Sequence, residues 1–419
     1  WLADCVLSGG IRRSSLMALF SPEDTEMLYC KAAGNFAPRY AGNMGLNSQR
    51  EMANNSGVIL RTGDELRNRY HFDRLIQTGQ QNFGDPGFLF VNDLDEGTNP
   101  CGEIGLNPVF GGVQFCNLCE INGATCTSGE DFIRRCELAA VIGTMQAAYT
   151  MFPYLGVETE ESTRREALLG ISIMGIYDNV ELFGDGDLLK AGVGMVRQTN
   201  MRVAGHLGIN RAARLTTVKP GGTAPLEAAK AGVIPASGIT PHHATNYFRR
   251  VTASKTEPLA QALYAVNPHL VEEKPDGDWS IVFPIHTDGV VLDDVSTRDH
   301  VDMIMHVYKN WVLPGTRDMG SLTHNVSCTV VVSNDDLDWL VDHLWTNRDS
   351  FAAMSFVPPT LDSIYRYAPR QAVRTHWDRE RWNQLVRMTR PMDFGNIRED
   401  GDNTSRQLAA ACAGGVCEL

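Results

Sequence analysis

The sequence predicts an α/β fold built on a parallel sheet or barrel. Three observations support this. Short β-prone runs alternate with longer stretches of helical periodicity. The chain has 419 residues, enough for one large or two medium domains. Its composition, 43% apolar and 21% charged, is that of an ordinary soluble globular protein. No short repeat is present, so a solenoid is excluded.

The opening Trp1-Leu2-Ala3-Asp4-Cys5-Val6-Leu7 has the character of the middle of a domain, so upstream structure is expected to be missing. Residues 164 to 179 carry a helical pattern, weakened by Gly170 and Gly175. Leu215 to Val218 is a short apolar run. Ser280-Ile281-Val282-Phe283-Pro284 and Cys328-Thr329-Val330-Val331-Val332 are β-prone. Between them, Val301, Ile304, Met305, Tyr308, Trp311 and Val312 share one helical face, with Ser296 as cap and Asp299 in the first turn. Residues 335 to 348 repeat that pattern through Leu337, Leu340, Val341 and Leu344. From 395 to 406 the chain is rich in Gly, Asp, Asn and Arg and has almost no apolar face. We expect a main body over 1–394 and a flexible tail over 395–419.

Charge and composition restrict function. The net charge is -13 with no long basic run, which argues against a general binder of nucleic acid or membrane surfaces. The longest apolar runs are far short of a membrane span, and no secretory signal opens the chain. Ten cysteines are too few for a disulfide scaffold. A reducing cytoplasm is the expected compartment, and clustered cysteines there are catalytic, redox-active or metal-binding.

Four motifs carry chemistry. In Asn99-Pro100-Cys101-Gly102-Glu103-Ile104, an amide, a thiol and a carboxylate stand at alternate positions. An extended loop would turn all three toward one small substrate. A carboxylate there is suited to taking a proton from a hydroxyl. A buried cysteine in a Pro/Gly turn is the plainer alternative. Cys116 and Cys119 form a C-x-x-C pair, either a redox dithiol or half a zinc site completed by Cys126 or the terminal pair. Lys219-Pro220-Gly221-Gly222-Thr223-Ala224-Pro225 is a small-residue loop of the kind that lets backbone N–H groups approach phosphate, or else a tight turn. It lacks the P-loop pattern. Ser8-Gly9-Gly10-Ile11-Arg12-Arg13-Ser14-Ser15 places paired arginines beside glycines, as phosphate or base recognition requires and as a solvated loop also allows. His242 and His243, being adjacent, do not share a helix face, and no metal site is expected from them.

Taken in order, the Asn99 to Ile104 motif, Cys116-Asn117-Leu118, Val218 to Thr223 and the terminal Cys412-Ala413-Gly414-Gly415-Val416-Cys417 resemble the ribonucleotide reductases. Within that family they are most like the adenosylcobalamin-dependent (class II) enzymes of the monomeric and viral type that act on triphosphates. Ala53 to Ser56, Ser237 to Arg250 and His324 to Ser327 extend the resemblance across nearly the whole chain.

The resemblance implies a ten-stranded α/β barrel whose central finger loop carries Cys101, with the N-terminal part missing. It implies a thiyl radical on Cys101, a proton-accepting Glu103, and Asn99 on the sugar hydroxyls. Cys116 becomes half of the reducing dithiol, and Cys412 and Cys417 the shuttle that restores it. Pro220, Gly221, Gly222, Thr223 and Ala224 become the substrate phosphate loop. Gly9, Gly10, Ile11, Arg12, Arg13 and Ser14 become the loop between effector and substrate. The implied cofactor is adenosylcobalamin. The implied partners are a ribonucleoside triphosphate, a deoxynucleotide effector and a thioredoxin-like reductant, in a bacterial or virus-infected host cytoplasm.

The second reducing cysteine lies upstream in the family, and neither Cys5 nor Cys30 stands in its context. Cys119 falls on a variable position. No Tyr-Tyr pair of the class I kind and no glycyl-radical motif occurs. A class I-type large subunit with a separate radical-generating subunit, and a non-catalytic zinc or thiol module, are the competing expectations.

Overall fold

In a computed structural model, the described residues are 15–31, 53–81, 84–108, 111–222, 224–229, 234–274, 277–317, 322–357, 359 and 367–393, with the backbone of 412–413 and 416–417. In chain order the main elements begin with β1 (Met17–Phe20), β2 (Asn54–Leu60), α1 (Glu65–Gln81), β3 (Gly87–Val91), β4 (Gly97–Thr98), β5 (Gly105–Leu106) and β6 (Leu118–Asn122). Then come α2 (Gly129–Ala147), α3 (Val157–Glu166), β7 (Gly170–Met174), α4 (Gly186–Leu207), β8 (Asn246–Ala253), α5 (Pro258–Val266), β9 (Val271–Glu273) and β10 (Trp279–His286). The last are α6 (Thr297–Val307), β11 (Thr329–Val331), α7 (Leu337–Thr346), β12 (Ser355–Val357), β13 (Arg370–Ala372), α8 (His376–Met388), β14 (Cys412–Ala413) and β15 (Val416–Cys417).

A wall of parallel segments runs through the protein. β1, β2 and β3 pair in parallel. The amide of Phe90 donates to Ala352 O, bringing β3 beside the segment that leads into β12. β12 pairs in parallel with β11. Val326 bridges to Val218 and Thr216 to Ile171, which inserts residues 214–218 between β11 and β7. β7 pairs in parallel with β6. Helices α1, α2, α4, α6 and α7 bury one apolar layer against this wall, with Phe72, Phe132, Leu189, Ile304 and Leu344 at its centre. This is the expected α/β class. A closed ten-stranded sheet is not present among the described residues.

Helix ends follow the sequence. Ser296 Oγ accepts the Asp299 amide at 3.1 Å and caps α6, as its position predicts. Asp185 caps α4, and Gly208 ends it in the left-handed conformation at φ 67°.

One expectation fails here. Residues 164 to 179 are not one helix: α3 stops at Glu166 and the wholly buried strand β7 follows. The apolar run is shielded on both faces, so it shows no alternation. A Cβ at Gly170 would lie 2.6 Å from Leu118, so the glycine permits strand packing and does not weaken a helix. The β-prone Ser280 to Pro284 run is a strand, as expected. It lies in β10, inside an antiparallel sheet of order β13-β8-β10-β9. That sheet and helices α5 and α8 enclose a second core around Phe248, Leu263, Leu270, Val282 and Leu385. At the C-terminus, β14 and β15 pair antiparallel with Cys412 opposite Cys417. Residues 395–406, expected to be a linker, lie outside the described residues.

Candidate active site

β4 and β5 form a hairpin whose turn carries Asn99, Cys101 and Glu103. The expected extended loop is a tight turn: the Gly102 amide donates to Asn99 O at 2.9 Å, and Gly102 takes φ 76°. Asn99 braces the turn from inside, its Oδ1 accepting the Ile104 amide at 3.0 Å.

The rest of the chain grips this turn carbonyl by carbonyl. Asn54 Nδ2 donates to Pro100 O (3.4 Å), Ser327 Oγ to Cys101 O (2.5 Å) and Asn325 Nδ2 to Gly102 O (3.1 Å). Glu103 O accepts from Thr217 Oγ1 (2.8 Å) and from the Asn325 amide (2.9 Å). Arg214 Nε donates to Gly105 O at 3.1 Å. The Gly105 amide donates to His324 Nδ1 at 3.1 Å, while His324 Nε2 meets Leu169 O at 2.7 Å. That pair of partners fixes the neutral Nε2–H tautomer. Burial agrees with it, lowering the His324 pKa to about 3. A Cβ at Gly105 would sit 2.2 Å from Thr323 O, so only glycine allows this approach.

Cys101 is half-buried at the tip, between two more deeply buried polar side chains. Asn99 is 9% exposed and Glu103 1%. Burial raises the Glu103 pKa, and the side-chain hydrogen bond from Asn99 partly opposes it. Glu103 Oε2 is buried and has no hydrogen-bond partner among the described residues. An acceptor held in this way is ready for one further donor.

Cys116 lies close enough to Glu103 for the carboxylate to disfavour its thiolate. Burial is the larger cause, and the thiol is pushed up to about 12. It packs with Ile104, Leu106 and Leu168 under the finger, beside a cavity of about 230 Å³ lined in part by Phe115, Tyr149 and Phe152. Cys119 packs against the main core instead. The C-x-x-C pair therefore divides between two environments. Among the described residues, no three His, Cys, Asp or Glu side chains are placed to hold a metal.

The glycine loop lies next to this cluster. Lys219 favours the charged forms of Glu103 and Cys116 and pairs with Glu120 at 3.7 Å. The Lys219 amide donates to Ser172 Oγ at 2.9 Å, and Gly221 turns the chain at φ 65°. Pro220, Gly222 and Ala224 complete the described part of the loop; Thr223 lies outside it. Gly9, Gly10, Ile11, Arg12, Arg13 and Ser14 also lie outside the described residues, as do the side chains of Cys412 and Cys417. Sequence reasoning gave no role to Lys219, Glu120, Thr217 or the His324 to Ser327 segment. The only signal for Lys219 and for His324 to Ser327 was membership in a matching segment; Glu120 and Thr217 had none.

No protein-family model matches the chain. The adenosylcobalamin-dependent ribonucleoside-triphosphate reductase of Lactobacillus acidophilus is 25% identical over 470 residues, covering 99% of this chain and 57% of that protein. The enzyme of the same name from Euglena gracilis is 25% identical over 332 residues, covering 73% and 42%. That from Lactobacillus leichmannii is 23% identical over 465 residues, covering 100% and 58%. The chain thus spans little more than half the length of the curated relatives it matches. A B12-dependent (class II) ribonucleotide reductase superposes with a TM-score of 0.65 at 19% identity, over 88% of this chain and 53% of that one. The Actinobacillus ureae class Id ribonucleotide reductase alpha subunit superposes with a TM-score of 0.51 at 12% identity, over 81% and 70%. The fold is that of ribonucleotide reductase catalytic chains.

Proposed function

We infer that this chain, a relative of the adenosylcobalamin-dependent ribonucleoside-triphosphate reductases along its whole length, carries the reducing centre of such an enzyme. The observation behind this is the finger turn: a half-buried thiol on a backbone held by Ser327, flanked in sequence by a buried amide and a buried carboxylate with an unfilled oxygen.

The roles follow from the positions. Cys101, as a thiyl radical, takes the 3′-hydrogen of the ribose. Glu103 accepts the 3′-hydroxyl proton on its open oxygen; its raised pKa makes it a stronger base than an exposed carboxylate. Asn99 holds the sugar hydroxyls and keeps Glu103 in place. The 2′-hydroxyl takes a proton from one of two thiols and leaves as water. Two thiols supply the two electrons and become a disulfide, and Cys116 is one of them. Its high pKa keeps it a protonated hydrogen donor at neutral pH. The cavity beside it gives a path for Cys412 and Cys417 to restore it, and a thioredoxin-like protein recycles that pair. The Pro220 to Ala224 loop takes the phosphates, and Gly9 to Ser14 link a deoxynucleotide effector to substrate choice.

The fit to adenosylcobalamin rests on Cys101. Its thiol is partly exposed while its backbone is fixed, and Glu103, two residues further on, is buried. When bound, the cofactor would supply the radical chemistry that Cys101 takes up. No helix among the described residues is long and apolar enough to cross a membrane; we place the activity in the cytoplasm.

The test is reduction of ribonucleoside triphosphates by the intact protein with adenosylcobalamin and a dithiol. We expect turnover that needs both and disappears in Cys101→Ala. Turnover by Cys101→Ala refutes the assignment. Turnover that needs a second radical-generating subunit and ignores the cofactor favours the class I alternative.

A further inference from the structure

The wall turns two layers of side chains toward the finger, and strand alternation fixes which residues form them. On β6, Ile121 packs into the main core and Leu118 into the cluster around Ile104, so Glu120 shares the face of Leu118. On β7, Ile171 and Ile173 pack into the main core, while a Cβ at Gly170 would lie 2.9 Å from Ile104. Ser172 therefore faces the finger as well. In the segment beside β7, Val218 belongs to the main core and Thr217 Oγ1 donates to Glu103 O. Lys219 continues the face of Thr217. The first layer, Leu118, Gly170 and Thr217, packs on the finger. In the second, Glu120 stands opposite Ser172 in the register, and Ser172 Oγ accepts the Lys219 amide at 2.9 Å. This second layer reaches the glycine loop: a Cβ at Gly221 would lie 3.4 Å from Glu120 Oε1.

The second layer is charged and nearly dry. The side chains of Lys219 and Glu120 are 20% and 8% exposed, with 3.7 Å between Nζ and Oε2. Charges so far from water persist when paired. Glu103 adds a second buried carboxylate for the one ammonium. The other groups packed on the turn are accounted for differently. Cys101 and Cys116 are thiols, Asn99 is an amide, His324 is neutral, and Arg214 is paired with Glu166. Burial is the largest influence on Glu103 and raises its pKa; of the two nearby charges, Lys219 lowers it and Glu120 raises it. With Lys219 held by Glu120, the two charges nearly cancel and burial prevails.

We propose that Glu120 is a positioning residue for the proton acceptor: it holds Lys219 beneath the glycine loop as a neutral pair, so that the ammonium does not settle on Glu103 and weaken it as a base. This rests on Glu103 taking the hydroxyl proton of the substrate.

The test is the pH dependence of kcat/KM for ribonucleoside-triphosphate reduction by the intact protein, with adenosylcobalamin and a dithiol, in wild type, Glu120→Gln and Lys219→Met. Without the Glu120 charge the ammonium acts on Glu103 alone, Glu103 ionises at lower pH, and the acid limb should move down by about half a pH unit or more. Without Lys219 the limb should move up. Glu120→Asp keeps the charge and should restore most of the wild-type limb. A structural role alone lowers the rate without opposite shifts. Unmoved limbs, or shifts of one sign in both variants, overturn the proposal; if one variant misfolds, the sign of the other decides. The carboxyl band of Glu103 in infrared difference spectra, identified by its loss in Glu103→Gln, follows the same titration without turnover. Opposite band shifts in a protein that reduces no nucleotide would sink the reductase reading and leave the coupling standing. Turnover with an unmoved band would do the reverse.

Discussion

Asn325→Ala tests how the reactive thiol is held. The Asn325 side chain makes three hydrogen bonds: Nδ2 donates to Gly102 O and Ala353 O, and Oδ1 accepts the Ala352 amide at 3.0 Å. Alanine orphans all three partners. Leaving a buried polar group unsatisfied costs about 1–3 kcal/mol. The Gly102 carbonyl is the partner on the finger, so local opening of the turn should become easier by about 2 kcal/mol. At 1.36 kcal/mol per factor of ten, that is roughly thirtyfold. Hydrogen exchange of residues 99–105 reads this directly, because the Gly102, Ile104 and Gly105 amides are each bonded within or to the turn. The expected result is exchange roughly thirtyfold faster there, with α2 and α4 unchanged. Exchange within threefold of wild type would mean that the other clamps suffice and that Asn325 serves only the wall.

Other expectations follow from the same geometry. Gly105→Ala drives a methyl into Thr323 O and should lower stability by at least ~1–3 kcal/mol, read as a fall in the thermal midpoint. Cys116, with its thiol near pKa 12, should react with iodoacetamide at pH 8 about a thousandfold more slowly than an ordinary exposed cysteine, by mass-spectrometric time course. His300 is buried, its Nε2 beside Ile239 O, and its pKa falls to about 4. A lowered histidine pKa means that the unfolded chain binds the proton first. Stability is therefore unaffected above pH 6.5 and falls as pH drops from 6.5 to 4, by roughly 3 kcal/mol in all. Replacement by Gln should flatten that part of the urea-stability profile.

The sequence disclosed the candidate residues of the site more readily than the course of individual strands. Asn99, Cys101, Glu103 and Cys116 were legible because their residue types state their chemistry, and the structure brings Asn99, Glu103 and Cys116 together. The mechanism of convergence was misjudged, since a turn with Gly102 at φ 76° does what strand alternation was expected to do. Strand β7 was mistaken for helix because a strand covered on both faces loses its period of two. The clamps were not legible. Thr217, Asn325 and Ser327 act through carbonyls, and His324 through the Gly105 amide, all more than a hundred residues distant, and local sequence carries no trace of such partners.

The grip on the finger turn also orders events in time. Its holders come from residues 54, 214, 217, 324, 325 and 327, so the hairpin contacts segments on both sides of it in the chain. Contacts of such high sequence separation form late, after long loops have closed. A nascent or partly unfolded chain therefore carries Cys101 on a hairpin that has none of these holders. The Cys101 position is assembled only once the wall from β2 to β11 stands, so on the proposed role of Cys101 completion of folding is itself the safeguard that no half-built copy can begin the chemistry.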